Sequence, residues 1–103
     1  MLNKEIQHFL PSIASLLEKH KIKNAWFFGS VLTEKFNQKS DIDLLINLQD
    51  GLEPIEAGGH LWDLTFELED LLHRKVDLVS ERSIKNPYFL KEIGATKYFI
   101  YGK

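Results

Sequence analysis

Residues 27–48 read FFGSVLTEKFNQKSDIDLLINL, and this stretch decides the fold. A short apolar run ends at Gly29 and Ser30, a mostly polar connection of ten residues follows, and a second apolar run opens with Asp41 and Asp43. Because side chains alternate sides along a β-strand, the two aspartates point to one face and the aliphatic residues to the other. The pattern predicts a strand that is apolar on one face and acidic at the start of the other.

The acidic pair and the Gly-Ser turn together predict a phosphate-handling metal site. Two adjacent carboxylates repel each other, and a hard divalent cation such as Mg²⁺ removes that repulsion because it prefers oxygen ligands. Gly29 and Ser30 end one strand and open a short helix, so their backbone N–H groups and the serine hydroxyl can hold a phosphate at the helix N-terminus. The alternative interpretation is a solvated strand end that carries no function.

Asp77 offers a third carboxylate for the same site. It lies in the apolar run VDLV at residues 76–79, which predicts a further strand. If this strand neighbours the one that holds Asp41 and Asp43, the three aspartates can ligate two metal ions about 4 Å apart, the spacing of two-metal nucleotidyl transfer. In that arrangement Asp77 is the group that assists deprotonation of the acceptor hydroxyl.

Length and composition limit the class of protein. With 103 residues and 44% hydrophobic content, the chain is expected to form one globular domain over residues 1–103. A net charge of −2 argues against the broad basic face of a nucleic-acid-binding domain and gives no reason to expect a membrane partner. The sequence contains no cysteine, no signal-peptide pattern and no apolar run as long as a membrane span, so a cytoplasmic location is expected.

The hydrophobic pattern outside the central stretch predicts alternating helices and strands. Apolar spacings of three and four predict an amphipathic helix over residues 4–21, with a kink or a fresh start at Pro11. The same spacings predict a helix over residues 60–73, and a start as early as Pro54 is left open. The remaining predictions are strands at 25–28, 41–48 and 76–79, a helical turn at 30–35, a short helix at 83–92, and an edge strand or helical continuation at 97–101. This order predicts an α+β fold, an α/β sandwich with a small mixed β-sheet flanked by helices.

Two groups of side chains are interpreted as structural. The four histidines show no metal-ligand spacing and are expected at the surface or at helix ends. Trp62 and Phe66 are four residues apart and form a second stripe on the helix over residues 60–73. We interpret that stripe as core packing or a dimer contact rather than a base-stacking platform.

The central stretch resembles a known family. Gly29-Ser30, ten intervening residues and Asp41-Ile42-Asp43 resemble the Gly-Ser…Asp-x-Asp signature of the DNA-polymerase-β-like nucleotidyltransferases. The aliphatic run after the second aspartate and the sequence RKVDLV at residues 74–79 resemble the minimal nucleotidyltransferases of that superfamily in particular. The resemblance covers about residues 5–80.

This resemblance implies a nucleotidyltransferase-like fold and Mg²⁺-dependent transfer of AMP from ATP to a hydroxyl, with two Mg²⁺ ions. It implies Asp41, Asp43 and Asp77 as catalytic metal ligands, and Gly29 and Ser30 as nucleotide-binding residues. For many minimal members it also implies an antitoxin that adenylylates a HEPN-domain toxin on tyrosine. The chain has no residues left for a second domain that would grip the acceptor, so the acceptor surface is expected from a partner protein or from a second copy in a homodimer.

The chain departs from the family pattern directly after Ser30. Family members commonly carry Gly-Ser-x-Ala-Arg-Gly, whereas this chain continues Val-Leu-Thr-Glu-Lys over residues 31–35 and lacks that arginine and that glycine. Lys35 or Lys39 is the candidate for the missing positive charge. Two alternative functions therefore stay open: a non-catalytic antitoxin or binding module with a degenerate nucleotide site, and a small-molecule nucleotidyltransferase that acts as a homodimer.

Overall fold

A four-stranded mixed β-sheet organises the computed structural model, which describes residues 2–102. The strands are β1 (Ile22–Phe28), β2 (Ile42–Leu48), β3 (Val76–Ser80) and β4 (Tyr98–Gly102). The helices are α1 (Lys4–Gln7), α2 (Leu10–Lys19), α3 (Pro54–Leu72) and α4 (Pro87–Thr96), with 3₁₀ turns at Gly29–Leu32 and Glu81–Ser83. Within residues 2–102, no helix combines the length and the apolar character that crossing a bilayer requires.

The sheet order is β3-β2-β1-β4. Strand β1 pairs in antiparallel fashion with both β2 and β4, whereas β2 and β3 are parallel. A parallel pair needs a crossover connection, and the 19-residue helix α3 supplies it between β2 and β3. The predicted α+β architecture with a small mixed sheet is confirmed, and residues 98–101 belong to the edge strand β4.

The two faces of the sheet are covered unequally. The larger apolar cluster contains residues from α2, α3 and alternate positions of the strands, namely Ile13, Leu17, Phe27, Ile42, Leu44, Ile46, Leu64, Leu68, Leu72 and Val76 among others. The smaller cluster on the other face contains Phe28, Leu45 and Ile93, the last of which comes from α4. Most of the core therefore lies on the α2–α3 side of the sheet.

A polar cluster fastens α2 to α3 at the edge of the larger core. His20 follows α2 and is buried; its Nε2 atom lies 2.7 Å from Oε1 of Glu67, and its Nδ1 atom lies 3.1 Å from Nδ1 of His60. Lys19 Nζ donates to Oε2 of the same Glu67 carboxylate at 2.9 Å. Hydrogen bonds from Lys19 and from His20 lower the pKa of Glu67. The charged carboxylate is thus the form that the fold favours.

Several observed element boundaries differ from the predicted ones. The predicted helix over 4–21 is divided, and α2 starts at Leu10 with Pro11 in its first turn, which confirms the fresh start. Strand β1 begins at Ile22 rather than at residue 25 because Ile22 and Asn24 also pair with neighbouring strands. Helix α3 begins at Pro54, the earliest of the starts left open.

Helix α4 lies later than predicted. The structure places it at Pro87–Thr96 rather than at 83–92, and Gly94 lies inside the helix rather than near its end. The side-chain oxygen of Asn86 accepts hydrogen bonds from the backbone N–H groups of Tyr88 and Phe89, which fixes the start. Ile93 packs against Phe28 and Leu45, and this burial favours helix beyond the predicted end.

The interpretation of Trp62 and Phe66 as core residues is wrong. The two side chains are 68% and 54% exposed, and their rings form an edge-to-face pair with centroids 5.2 Å apart. Both lie on the side of α3 opposite Leu64 and Leu68, which are fully buried. Of the two interpretations favoured by the sequence, the dimer contact remains.

Candidate active site

Asp43 and Asp77 face each other across the parallel strand pair. The register of β2 against β3 sets Ile42 opposite Val76 and Asp43 opposite Asp77. Because the neighbours of Asp43 in the chain, Ile42 and Leu44, enter the larger core, Asp43 points to the opposite, α4-covered face. The strand adjacency on which the proposed site depends is therefore present.

Asp41 lies one residue before β2 and contacts the Gly-Ser turn. Ser30 Oγ donates a long, 3.5 Å hydrogen bond to the backbone carbonyl of Asp41. Both residues are half-buried. The turn that is predicted to hold a phosphate is thus directly attached to the start of the acidic strand.

Gly29 allows the Asp43 carboxylate to approach the turn. Its φ of +79° lies in the left-handed region, and a Cβ atom at this position would lie 2.6 Å from Oδ2 of Asp43. Such a separation is shorter than any ordinary van der Waals contact between carbon and oxygen. Only glycine satisfies both the backbone conformation and the close approach.

The carboxylates form an electrostatically unfavourable group. The pKa of Asp43 is raised, first by its burial, next by the negative charge of Asp77 and then by that of Asp41. Burial and like charges both disfavour an ionised carboxylate. A cation bound among the three aspartates would remove the repulsion, so the electrostatics of the group favour a positively charged ligand.

The three aspartates offer the oxygen ligands that a hard cation prefers, although their side chains do not converge on a single point. Within residues 2–102, no group of three or more His, Asp or Glu side chains is already arranged as a metal-binding set. Carboxylates that repel one another gain by staying apart. Mg²⁺ is bound in proteins by one or two carboxylates together with substrate phosphates and water, and Asp41, Asp43 and Asp77 offer only oxygen atoms.

Arg74 is a positioning residue that the sequence analysis did not single out. Its Nη1 atom donates to the backbone carbonyls of Asn37 at 2.8 Å and Ser40 at 3.1 Å, and its guanidinium lies 4.4 Å from the ring centroid of Phe36. These contacts fix the polar connection immediately before Asp41. No local sequence signal could reveal them, because they join residues more than thirty positions apart.

Two adjoining cavities open beside Gly29. One, of about 430 Å³, is lined by Gly29, Leu32, Thr33, Thr96 and Tyr98. The other, of about 200 Å³, is lined by Phe28, Phe89, Glu92, Ile93 and Thr96 together with Gly29. Helix α4 and the start of β4 thus provide walls beside the Gly-Ser turn that the sequence analysis did not assign to the site.

The fold is that of the nucleotidyltransferase-like α+β class. The family described as "Polymerase beta, Nucleotidyltransferase" matches residues 12–103. The chain therefore belongs to the polymerase β nucleotidyltransferase family, as the resemblance of the central stretch indicated.

Relatives from Methanocaldococcus jannaschii are similar over most of their length. One, named "Putative protein adenylyltransferase MJ1217", is 43% identical over 90 residues, which cover 86% of this chain and 88% of the relative. Another, named "Putative protein adenylyltransferase MJ0126", is 45% identical over 78 residues, which cover 76% of each chain. Both names describe transfer of an adenylyl group to protein.

Solved structures give the same family relationship. A structure described as a putative minimal nucleotidyltransferase has a TM-score of 0.74 at 27% identity, with 94% of each chain covered. A toxin–antitoxin structure with AMP-PNP has a TM-score of 0.71 at 26% identity, with 91% of this chain and 73% of that chain covered. A third, a tri-AMPylated Shewanella oneidensis HEPN toxin in complex with its MNT antitoxin, has a TM-score of 0.66 at 25% identity, with 94% of this chain and 72% of that chain covered.

Proposed function

We propose that this nucleotidyltransferase transfers AMP from ATP to a tyrosine hydroxyl of a partner protein, and that the partner is a HEPN-type toxin for which this chain is the antitoxin. The observation that carries the proposal is the register that sets Asp43 opposite Asp77, beside a Gly-Ser turn. The names of the relatives and the AMPylated toxin complex support the choice of a protein acceptor. A cytoplasmic site of action agrees with this assignment.

We propose that the residues divide the work as follows. Backbone N–H groups of the 3₁₀ turn that begins at Gly29, and the Ser30 hydroxyl, bind the triphosphate. Asp41 and Asp43 hold Mg²⁺ together with the phosphates, and Asp77 joins them as metal ligand and proton acceptor. When bound, two Mg²⁺ ions would supply charge neutralisation at the triphosphate and lower the pKa of the acceptor hydroxyl.

In the proposed reaction the acceptor oxygen attacks the α-phosphorus of ATP. A bond forms between that oxygen and the phosphorus, and the bond from the α-phosphorus to the bridging oxygen of the leaving pyrophosphate breaks. The hydroxyl proton passes to the Asp77 carboxylate. Helix α4 and β4 wall the cavities beside Gly29, so the nucleotide is shielded on that side while the acceptor comes from the partner.

A binding-only antitoxin is the second candidate, and one specific observation favours it. The chain lacks the arginine and the glycine that family members commonly carry after the serine, and continues with Val-Leu-Thr-Glu-Lys. Lys35 and Lys39 are exposed on the connection between the turn and β2 and are the candidates for the lost charge. A small-molecule acceptor bound between two copies of the chain is a third, weaker candidate.

The intact mass of the partner separates these functions. The product of the gene adjacent to the one encoding this chain would be incubated with the chain, ATP and Mg²⁺. A mass gain of one or more AMP units is expected with the wild-type chain and with Asp50→Asn, because Asp50 is an exposed turn residue paired with Arg82. No gain is expected with Asp41→Asn/Asp43→Asn.

Other outcomes contradict the proposal. A stable complex whose partner mass never changes would support the binding-only antitoxin. Turnover of a small hydroxylated compound without a protein partner would support the small-molecule enzyme. Loss of the mass gain when Mg²⁺ is removed by a chelator, and its return when Mg²⁺ is added, tests the metal requirement independently of the aspartates.

A further inference from the structure

An apolar ridge runs along the outer surface of α3. Ile55, Trp62 and Phe66 are 91%, 68% and 54% exposed, and the spacings of seven and four residues align them on one side of the helix. We call these three residues the α3 ridge. Large apolar side chains grouped in this way on a surface mark an interaction site rather than ordinary surface composition.

A notch interrupts the ridge between Ile55 and Trp62. Gly58 and Gly59 lie there, and a Cβ atom added at either position would meet no other atom within 4 Å. Both glycines have helical conformations, so the turns of α3 do not require them. Each costs about 1 kcal/mol relative to alanine in a helix interior, and the isolated chain gains no packing in return. The notch is shaped to admit a side chain or a close backbone from outside.

The charges of α3 indicate what kind of molecule fits the ridge. The helix contains five acidic residues and neither Lys nor Arg. Three of the acids are engaged within the chain: Glu56 with Lys21, Glu67 with Lys19 and His20, and Glu69 with the backbone N–H of Val76.

Asp63 and Asp70 are the two acids of α3 that remain for another molecule. Both are exposed, and neither forms an ion pair within residues 2–102. Asp63 lies four residues after Gly59, and Asp70 lies four residues after Phe66, so helical geometry sets both on the same flank of the ridge. The ridge is therefore apolar along its crest and acidic along one side.

A second copy of the chain does not complement this surface. Two α3 helices packed through their ridges would bring the apolar side chains together, but the pair would also bring together four carboxylates without an ion pair within the described residues, Asp63 and Asp70 of each copy, and neither helix contains Lys or Arg. Like charges placed across an interface cost free energy, and complementary charges select the correct partner. The surface matches a different protein whose apolar side chains are flanked by cations.

We propose that the α3 ridge docks an amphipathic helix of the partner protein, with apolar side chains in the Gly58–Gly59 notch and Lys or Arg side chains facing Asp63 and Asp70. The identity of the partner rests on the proposed function. The description of the docking surface and of its chemistry does not depend on that function. The ridge lies on the layer of helices that covers one face of the sheet, whereas Asp43 points to the other face. Docking at α3 therefore leaves the proposed active site open.

The test measures binding and transfer separately, with the adjacent-gene product as the probe. Isothermal titration gives the Kd of the wild-type complex. Trp62→Ala/Phe66→Ala is expected to weaken binding by about 30-fold or more, the range of an aromatic hot spot. Asp63→Lys/Asp70→Lys is expected to slow association and to reverse its salt dependence. Tyr88→Ala, which removes a side chain 83% exposed on α4, is the matched control and is expected to leave Kd unchanged.

Transfer distinguishes a failed docking surface from a failed function. The ridge variants are expected to regain full AMP transfer when the partner concentration is raised above their weakened Kd, whereas transfer by Asp77→Asn is expected to stay equally slow at every partner concentration. One outcome would contradict the proposed function and still support the docking surface. In that outcome the ridge variants bind the partner more weakly than the wild type, but neither they nor the wild type transfer AMP.

Three results would overturn the docking surface itself. The first is a Kd that neither the ridge variants nor the charge reversals change. The second is the absence of any complex with the wild-type chain. The third is a wild-type homodimer that Trp62→Ala/Phe66→Ala converts to monomer, because it would show a second copy as the occupant. An unchanged Tm of each variant confirms that the substitutions act at the surface.

Discussion

The two faces of strand β2 differ in what they contribute to the molecule. Ile42, Leu44 and Ile46 are fully buried against α2 and α3. Asp43, between the first two, points to the face that α4 covers only in part, where its charge is opposed by burial and by Asp77. One face of the strand stabilises the fold and the other creates a site whose free energy falls when a cation binds. Substitutions on the two faces should therefore have separable effects.

The largest effect is expected from Asp77→Asn, which tests the acidic face alone. The substitution removes the proposed proton acceptor, so AMP transfer should fall by about 10²- to 10⁴-fold. Removing a like charge does not weaken the fold, so Tm should not fall. Transfer rate at saturating ATP and thermal unfolding measure the two. Full transfer activity would show that this side chain does not act in the reaction.

Leu44→Ala tests the buried face of β2, where stability is expected to fall while AMP transfer is retained. The residue is fully buried in the larger core, and the truncation should lower the free energy of unfolding by about 2–5 kcal/mol. Urea unfolding measures this loss. Below the temperature at which the variant unfolds, its AMP transfer should stay close to that of the wild type. A large loss of transfer with little loss of stability would mean that the two faces are not separable.

Gly29→Ala is expected to lower both the stability of the fold and the rate of AMP transfer, each to an intermediate degree. The left-handed backbone costs about 1–2 kcal/mol for a residue with a Cβ atom, and that atom would displace the Asp43 carboxylate, from which it would lie only 2.6 Å away. Because small displacements of reacting groups reduce rates by up to about 100-fold, transfer should fall more than stability. Gly94→Ala, in open space on α4, is the control and should stabilise the chain slightly. Equal effects of both variants on transfer would contradict this account of Gly29.

The smallest effect is expected from Glu67→Gln, at the polar cluster beside the larger core. The hydrogen bonds that lower the pKa of Glu67 favour its charged form in the folded chain. They therefore stabilise the fold above the usual glutamate range, and this contribution is lost as falling pH protonates Glu67 through its lowered pKa. The wild type should be modestly more stable than the variant near neutral pH, and the difference should vanish once the pH is low enough to protonate Glu67 in the folded chain. A difference that grows on acidification would reverse the sign and contradict the assignment.

Much of the fold follows from local patterns in the sequence. The period-two alternation from Asp41 onward and the leucine spacing of α3 reflect burial on one side of each element, and both elements form as predicted. The Gly-Ser turn and the Asp-x-Asp start of β2 are likewise local. The adjacency of the Asp77 strand to β2 could be stated only as a condition of the site, and the parallel register meets that condition.

The remaining features depend on contacts between distant segments. Helix α4 continues through Gly94 because Ile93 is buried against Phe28. Helix propensities describe single residues and contain no information on such burial. Arg74 fixes the connection before Asp41 through backbone carbonyls, which have no sequence signature. The exposure of Trp62 could not be predicted from the sequence either. An aromatic stripe on a helix has the same periodicity whether it is covered by the core or by another molecule.

The parallel pairing of β2 with β3 has a consequence for the order of events as the chain is made. The residues between these strands must emerge and form the crossover helix before Asp77 can reach Asp43. Pairings between segments so distant in sequence form late during folding. A ribosome-bound chain that ends before β3 holds Asp41 and Asp43 without their neighbour. Completion of the carboxylate group would therefore report that β3 has joined β2, before β4 completes the sheet.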